Sequence, residues 1–511
     1  MMFFINSILR AVIPYLSYFL IHFRSQFWKM SSICSIFSPS QRRPTNPFFP
    51  AKSMLFKSLA ISGLILYIIY IIFSSSSPLI TYLNLRRTNS HHHAKAVSFS
   101  PTNISHLAFG ITSCSNTWRT RRYYVESWWQ PNSTRGYLFL DRVRREFFPW
   151  PSSSPPFWIS EDTSRYEQFN KHRTKQAIRM ARMIVELFRA ENKGVRWYIM
   201  TDDDTIVFVD NLVDVLGKYD HREYLYVGAN SECISSNFFH SFEMAFGGGG
   251  YALSYPLAEA LVKNMDVCIK RYPTLYGSDH ILQSCAADLG VSLTQEKGFH
   301  QIDLHRDLSG FLSAHPQSPL LTLHHLDAVD PIFPSMDRKQ SLHHLMKAAK
   351  ADASRLLQQT VCHHRSENWT ISISWGYSAR IYDGFHSPSL LQRPLETFGA
   401  WSKAARPPFM FNTRIPSRNP CDAPHVFFFE YVEEAEGNHV FTSYSRKRIR
   451  RLPACSSNRH ASLIDEVRVL SPTSKSIEAG IRRECCDIVQ ELGMNATEVK
   501  IRACGEDELL A

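Results

Sequence analysis

The sequence predicts an α/β domain with a mostly parallel sheet, followed by a β-rich region and preceded by an apolar helix. Two observations predict the domain. Apolar stretches that suit buried strands alternate with stretches of helical spacing, which is typical of βαβ units. The stretch "VRWYIM" at 195–200 is also apolar on both faces, as parallel strands covered by helices are.

A long apolar run at 54–73 is about the length that crosses a bilayer. Residues 1–57 hold seven Lys and Arg and no acid, so the N-terminus is expected on the cytoplasmic side. We predict a cytoplasmic segment at 1–53, an uncleaved signal-anchor at 54–73 and a stem at 74–105. A cleaved signal peptide or a buried helix is the alternative, but the run is long for a signal peptide and no clear cleavage site follows.

The excess of positive charge on the chain lies mainly in this N-terminal segment. The net charge is +11, and removing the seven charges of residues 1–57 leaves +4 for the remainder. A nucleic-acid-binding protein is therefore disfavoured. Ten of the eleven cysteines and four Asn-x-Ser/Thr sequons follow the predicted anchor, which indicates the lumen of the secretory pathway.

The elements of the α/β domain, predicted at 106–361, follow one another in a regular order. Strands are predicted in "HLAFGITSC", "RGYLFLD", "VRWYIM" and "EYLYVG". Helices are predicted in "RTRRYYVESWW", in 169–192, in "VDNLVDVLGKY" with Asp210 as its cap, and in "YPLAEALVKNM" with Pro256 in its first turn. Residues 362–511 hold further strand patterns and a short helix near 475–492, and form a β-rich extension that its cysteines would brace.

Three adjacent carboxylates, Asp202, Asp203 and Asp204, follow the "VRWYIM" strand. Ligands of open α/β sheets bind beyond the carboxyl ends of the strands, so this position favours a site over a solvated turn. Carboxylate oxygens suit Mg²⁺ or Mn²⁺, which bind few protein ligands and leave positions for substrate phosphates. The acids therefore predict a cation-diphosphate site.

Further residues after the three acids are suited to a binding or catalytic site. Four glycines at 247–250 let the backbone approach a ligand closely, and no Lys-Ser/Thr follows as in a P-loop. Asp279 precedes a predicted helix, where it serves either as a general base or as the helix N-cap. His300, His324 and His325 are each able to complete a cation site, although a single histidine is more often structural.

In this order and behind an apolar anchor, these features resemble the fringe-like branch of glycosyltransferase family 31, and most closely the plant fringe-related proteins. The matching residues are Asp202–Asp204, Gly247–Gly250, Asp279 with "DLGVSLT", and "GFH" at 298–300. The "LTLHHLD" segment is similar to a later strand of related β1,3-galactosyltransferases. The resemblance covers about residues 106–335, and the C-terminal region looks like the extension of the plant members.

The resemblance implies a single GT-A domain that uses a UDP-sugar donor and Mn²⁺ (or Mg²⁺) and transfers the sugar with inversion. Asp204 would be a cation ligand, Asp202 would face the cation or the donor ribose, and Asp203 would contribute or orient. His324 would complete the metal site by the pattern of one branch, and His300 by that of another.

The glycine loop, with Gly248 and Gly249, would lie beside the donor sugar and the acceptor, and Asp279 would take the acceptor proton. Relatives often carry two acids where this chain has Asp279-His280, so the base is assigned to Asp279 alone.

The sequence therefore predicts a glycosyltransferase of the Golgi that is anchored as a single-pass type II membrane protein. The resemblance implies a β1,3-type hexosyltransferase that acts on a glycan, a glycoprotein or a small-molecule glycoside. It would transfer a hexosyl or N-acetylhexosaminyl group to an acceptor hydroxyl. Two alternatives stay open at this point: a non-catalytic luminal sugar-binding or scaffold protein that keeps the fold, and a secreted structural protein that binds metal without UDP.

Overall fold

A seven-stranded mixed sheet organises the first part of the structure. The computed structural model describes residues 100–166, 168, 175–365, 367–453, 455, 460–473, 484–489 and 495–509, and residue 67. The strands of the sheet are β1 (Leu107–Thr112), β2 (Arg135–Leu140), β3 (Phe157–Ile159), β4 (Trp197–Asp202), β6 (Tyr226–Gly228), β7 (Tyr251–Ser254) and β8 (Leu293–Gln295). Their order is β3-β2-β1-β4-β7-β6-β8.

The predicted parallel, helix-covered strands are confirmed at the centre of this sheet. All six residues of β1 are buried, and β1 runs parallel to both β2 and β4. Alternate residues of β1 and β4 enter two separate hydrophobic cores, one on each face, which is why both strands are apolar throughout. Strand β7 runs antiparallel to its neighbours β4 and β6, so the sheet is rich in parallel pairs but mixed.

Helices pack on this sheet much as the helical spacing predicts. The helices of the described chain are α1 (Trp118–Glu126), α2 (Lys175–Ala190), α3 (Val209–Leu216), α4 (Ile234–Phe239), α5 (Tyr255–Arg271), α6 (Ser278–Asp288), α7 (Ser309–Leu312), α8 (Arg338–Ala351), α9 (Pro388–Leu391) and α10 (His460–Leu463). Pro256 lies in the first turn of α5, as predicted. The prediction of Asp210 as the cap of α3 is wrong, because the chain turns at Phe208 and Asp210 lies one residue inside the helix.

An eight-stranded sheet forms the C-terminal part, which confirms the predicted β-rich extension. Its strands are β11 (Gln359–His364), β12 (Trp369–Ser374), β13 (Ser378–Tyr382), β15 (His425–Ala435), β16 (His439–Ser445), β17 (Glu466–Pro472), β18 (Glu484–Val489) and β19 (Ala496–Ala503). They stand in the order β11-β12-β13-β15-β16-β17-β19-β18. The helix predicted near 475–492 is wrong at 484–489, where β18 pairs with β19, and the rest of that prediction lies mostly outside the described residues.

Two short strand pairs stand apart from these sheets. Strand β5 (Ile206–Val207) pairs with β10 (Thr322–Leu323), and β9 (Leu304–Arg306) pairs with β14 (Phe398–Ala400). The first pair brings the histidines after β10 to the segment after β4. The second pair joins the α/β part to the C-terminal part.

Four disulfides brace the chain: Cys268–Cys285, Cys362–Cys486, Cys421–Cys455 and Cys485–Cys504. The last three lie in the C-terminal region, so the expected bracing there is confirmed. Ten cysteines would allow five bridges, but Cys114 and Cys233 have free thiols.

Residues 99–511 form one compact unit in which both parts share a hydrophobic core. Strand β11 runs across the predicted boundary between 361 and 362, so the division into 106–361 and 362–511 stays a prediction about the sequence. The segments at 1–53, 54–73 and 74–99 lie outside the described residues, apart from Tyr67. Within the described part of the chain, no helix combines the length and the apolar character needed to cross a membrane.

Candidate functional site

The three adjacent carboxylates lie at the carboxyl end of β4, in the centre of the first sheet. Asp202 is the last residue of β4 and pairs in register with Thr112, the last residue of β1. Asp203 and Asp204 form the turn that follows, and both side chains are almost fully buried. The ends of two neighbouring parallel strands thus meet where the acids begin, as the sheet topology predicts for a ligand site.

Asp203 is used to fix the turn. Its Oδ2 accepts hydrogen bonds from the hydroxyls of Ser113 at 2.6 Å and Thr117 at 3.0 Å. Burial and the charge of Asp204 raise the pKa of Asp203, while Ser113 and Arg121 oppose that rise. Because these partners occupy the carboxylate, its contacts suit an orienting role.

Arg121 on α1 compensates the repulsion between the acids. Its Nη1 lies 3.1 Å from Asp203 Oδ1 and 3.4 Å from Asp204 Oδ1, and its Nη2 lies 2.5 Å from Asp327 Oδ2. Sequence reasoning missed this residue, which is one of several arginines in "RTRRYYVESWW". Helical spacing is the one sequence signal that could have found it: Arg119 and Arg122 are exposed, and Arg121 is the arginine of this helix that faces the carboxyl end of β4.

Asp204 and His324 form the centre of the site. His324 Nε2 lies 3.1 Å from Asp204 Oδ1 and 4.0 Å from Asp202 Oδ2. Burial alone would lower the pKa of His324, but the Asp204 carboxylate outweighs it and raises that pKa to about 9. Burial would raise the pKa of Asp204, but the charges of His324 and Arg121 outweigh it and hold that pKa below its usual range.

Asp202 lies at the mouth of the site, with 26% of its side chain exposed. Burial by the surrounding protein raises its pKa to about 7; the nearby Asp204 and Asp279 carboxylates add to the rise, and His324 opposes it. A cation would favour the ionised form of this carboxyl group.

These side chains fit a divalent cation. Asp204 Oδ2 and His324 Nδ1 are buried, and neither has a hydrogen-bond partner among the described residues. Asp204, His324 and His325 also place one ligand atom each within 4.8 Å of one another. Carboxylate oxygens with an imidazole nitrogen suit Mn²⁺, and Asp202 adds a further carboxylate at the mouth.

The glycine loop at 247–250 packs directly against this centre. A Cβ on Gly248 would lie 2.0 Å from His324 Cε1, so only glycine leaves room for the imidazole. The Gly249 N–H donates to Gln301 Oε1 at 2.5 Å, and the Gly248 carbonyl accepts a hydrogen bond from Thr205 Oγ1 at 2.7 Å. The close approach predicted for the glycines is therefore made to protein side chains of the site.

Asp279 lies on the other side of the same loop. It is the second residue of α6, whose N-cap is Gly277, so Asp279 is not the cap. A Cβ on Gly247 would lie 2.5 Å from Asp279 Oδ1, and Ser278 Oγ donates to that oxygen at 2.9 Å. The partly exposed carboxylate is thus held beside Gly247, and the next residue of the loop, Gly248, packs against His324.

The neighbour His280 points elsewhere. Its ring centroid lies 6.2 Å from that of His240, and burial together with the His240 charge lowers its pKa. Of the two adjacent residues, Asp279 is therefore the one whose side chain contacts the glycine loop.

The structure does not bring His300 to the Asp204 carboxylate. His300 Nδ1 pairs with Glu232 Oε1 at 2.9 Å, and His300 groups with Glu232 and His315. Its backbone carbonyl accepts the His324 N–H at 3.1 Å. His300 therefore supports the strand that carries His324, while its ring lies in a different cluster.

His325, which the sequence offered as a candidate ligand, and two residues that sequence reasoning did not assign, Asp303 and Trp401, complete the surroundings of His324. The His325 ring lies 3.8 Å from that of His324, and its Nδ1 is 3.1 Å from Asp303 Oδ1. Trp401, from the C-terminal part, stacks on His325 with ring centroids 4.8 Å apart. No sequence signal connects Trp401 to His325, because the two residues are 76 positions apart.

Two family models match overlapping parts of the chain. Residues 103–319 match a family model described as Fringe-like, and residues 236–486 match one described as a protein of unknown function, DUF604. The chain is 35% identical over 95 residues to the beta-1,3-N-acetylglucosaminyltransferase lunatic fringe of Gallus gallus, which covers 17% of this chain and 26% of that protein. The chain thus matches about a quarter of the length of this curated relative.

Among solved structures, the glycosyltransferase GlyE of Streptococcus pneumoniae TIGR4 is similar with a TM-score of 0.25 and 14% identity. The match covers 37% of this chain and 45% of that chain, and a likeness at this level carries no argument.

The sheet and the family match together define a fringe-like α/β domain. The match over residues 103–319, together with the partial match to lunatic fringe, supports a relation of this part of the chain to the fringe-like proteins of glycosyltransferase family 31.

Proposed function

We propose that the chain is a metal-dependent, inverting glycosyltransferase of β1,3 type. It transfers a hexosyl or N-acetylhexosaminyl group from a UDP-sugar to an acceptor hydroxyl of a glycan, glycoprotein or small-molecule glycoside. The observation that carries the proposal is the contact of one glycine loop with both His324 and Asp279. Both side chains therefore lie beside this loop at the end of a central strand, which supports their assignment as the cation-binding imidazole and the catalytic carboxylate.

Asp202, Asp204 and His324 would hold Mn²⁺, with Mg²⁺ as the alternative. The cation, when bound, neutralises charge on the departing diphosphate. The residues of the chain keep this centre in place: Asp203 fixes the turn, and Arg121 balances the carboxylates. In the resemblance to family 31, the donor lies beside this cluster and the glycines at 248 and 249.

Asp279 would take the proton of the acceptor hydroxyl. A carboxylate in this role has to be ionised and accessible, and Asp279 is partly exposed and held by a single side-chain hydrogen bond from Ser278. The direct attack that this proton transfer assists is what inverts the configuration at the sugar carbon.

The compartment is proposed to be the Golgi lumen, with the protein anchored as a single-pass type II membrane protein through residues 54–73. Four disulfides support an oxidising compartment. The sequon asparagines are all exposed, as glycan attachment requires; they are Asn103, Asn132, Asn368 and Asn495. The anchor rests on the apolar sequence alone.

A screen for UDP release tests the activity. The full chain, purified in detergent, is incubated with UDP-hexoses and UDP-N-acetylhexosamines, with and without Mn²⁺. We expect Mn²⁺-dependent release of UDP from at least one donor, and a loss of about 100-fold or more in Asp204→Ala. Release that is unchanged in Asp204→Ala would show that the proposed site is wrong.

The same screen separates the alternatives. A non-catalytic sugar-binding relative would bind a UDP-sugar with Mn²⁺ but release no UDP with any acceptor. A structural metal-binding protein would bind Mn²⁺ equally well with and without UDP.

A further inference from the structure

Four aromatic rings form a continuous stack that ends at the cation-site histidine. The ring centroids of His305 and Trp401 are 4.5 Å apart at 18°, those of Trp401 and His325 are 4.8 Å apart at 7°, and those of His325 and His324 are 3.8 Å apart at 31°. Each ring therefore limits the tilt of the next, and the last ring is the one that faces Asp204.

Trp401 comes from the C-terminal part of the chain. Strand β14 pairs with β9, so that Gly399 stands opposite His305 and Ala400 opposite Leu304. The pairing continues past the strand, because the Trp401 N–H donates to the Asp303 carbonyl at 3.1 Å. This backbone register places the indole on the histidines. Residue 401 lies beyond the fringe-like match, which ends at 319, and inside the match to the domain of unknown function at 236–486.

The two consecutive histidines, which follow β10, need support from other parts of the chain. Successive residues of a strand point to opposite faces, but His325 has φ +58°, so the chain turns and both imidazoles lie on one side. This conformation is strained for a residue other than glycine. The surroundings that hold it are the Asp303 carboxylate at His325 Nδ1 and the Trp401 indole on the His325 ring.

We propose that Trp401 is a positioning residue of the cation site: its indole holds His325, and through His325 the ring of His324, in the orientation that binds the divalent cation. The inference rests on the proposed function, since it concerns the same site. It assigns a role to the C-terminal region, which supplies one wall of the site of the fringe-like domain.

The exposure of Trp401 separates this role from simple packing. The side chain is 42% exposed, so its replacement by Leu, which keeps apolar bulk, removes only part of its buried apolar surface. A purely structural tryptophan at this position would affect stability slightly and the affinity for the cation not at all. A positioning tryptophan would affect the affinity much more than the stability.

The experiment measures Mn²⁺ binding to the full chain by electron paramagnetic resonance of the free ion. We expect Trp401→Leu, which keeps apolar bulk without a flat ring, to weaken Mn²⁺ binding about 10-fold, the lower end for residues that support metal ligands. Trp401→Phe restores a ring that can stack and is expected to stay within about 3-fold of wild type. The melting temperature of each variant without Mn²⁺ should change little.

Trp158 provides the matched control. It is 40% exposed and packs edge-to-face against Tyr137 at the edge of the first sheet, away from the acids. Trp158→Leu should leave Mn²⁺ affinity at the wild-type value. His305→Ala removes the outer ring of the stack and should weaken binding less than Trp401→Leu does.

The outcomes distinguish the two proposals. If wild type binds Mn²⁺ and Trp401→Leu binds it equally well, the role of Trp401 is refuted while the proposed function stands. If wild type binds no Mn²⁺, the cation site is refuted and the role of Trp401 with it. A loss in Trp401→Leu that Trp401→Phe does not restore also overturns the stacking argument.

Discussion

Arg121 Nη1 lies 3.1 Å from Asp203 Oδ1 and 3.4 Å from Asp204 Oδ1, so one guanidinium group balances two of the three adjacent carboxylates. The acids are held together by a residue on the helix that follows β1, and this pairing shapes the site before any cation binds. It leads to the first prediction.

Replacing Arg121 with Ala should destabilise the fold. The substitution leaves two nearly buried carboxylates without their cationic partner, and the Arg121 side chain is 32% exposed, so we expect a loss of about 1–3 kcal/mol. Urea unfolding of the two proteins measures it. Arg119→Ala, on the exposed side of the same helix, is the control and should cost less than about 0.5 kcal/mol. Equal losses in the two variants would contradict the assigned role of Arg121.

His324→Ala and His300→Ala should separate the two histidines that the sequence left as alternatives. His324 faces Asp204, whereas the ring of His300 lies with Glu232 and His315. We therefore expect His324→Ala to weaken Mn²⁺ binding at least about 10-fold. His300→Ala should lower the melting temperature with a smaller change in affinity. The reverse pattern would place the cation at His300.

Gly248→Ala should disable the cation site. The added Cβ would lie 2.0 Å from His324 Cε1, so the imidazole or the loop has to move. A displacement of about 1 Å in a catalytic group costs on the order of 100-fold in rate, and UDP release measures it. Gly384→Ala is the control, because its Cβ would meet only His386 Nε2, at 4.0 Å. Full activity in Gly248→Ala would show that this contact is not needed.

Asp279→Asn should stop transfer while UDP-sugar binding persists. The amide cannot accept the acceptor proton, and loss of a general base typically costs 10²–10⁴-fold. The rate of sugar transfer and the affinity for UDP-sugar are measured in parallel. His280→Asn is the matched neighbour, and it should keep at least a tenth of the transfer rate. If His280→Asn is the more damaging change, the base is wrongly assigned.

The stability of the fold should depend on the ionisation of Glu186 in α2. Burial raises its pKa to about 7, and its Oε1 has no hydrogen-bond partner among the described residues. The folded state therefore binds a proton that the unfolded state releases near pH 4.5, so this group costs stability progressively as the pH rises from about 4.5 to 7.

Glu186→Gln removes this ionisation. We expect the variant to be more stable than wild type at pH 8, by on the order of 1–2 kcal/mol, with the difference shrinking towards pH 4.5. Denaturant unfolding at several pH values measures the difference. A difference that does not vary with pH would rule out this ionisation as its cause.

Much of the α/β fold is predictable from the sequence, because its signals are local. Strands β1 and β4 are apolar on both faces, and the helices between them show helical spacing. The acids after β4 and the glycines before β7 are visible for the same reason. The helix predicted near 475–492 is wrong at 484–489, because β18 is decided by its pairing with β19, and such pairing overrides local preference.

The partners of the site residues belong to the tertiary structure. The sequence by itself determined that carboxylates stand at a strand end, that a glycine loop and Asp279 follow, and that histidines come later. Only the fold decided that His324 and not His300 faces Asp204, that Arg121 balances the acids, and that Trp401 reaches His325. The physical reason is that these contacts join residues 76 to 120 positions apart in the sequence. The pairing of β5 with β10 and of β9 with β14 brings the histidines and Trp401 to their partners.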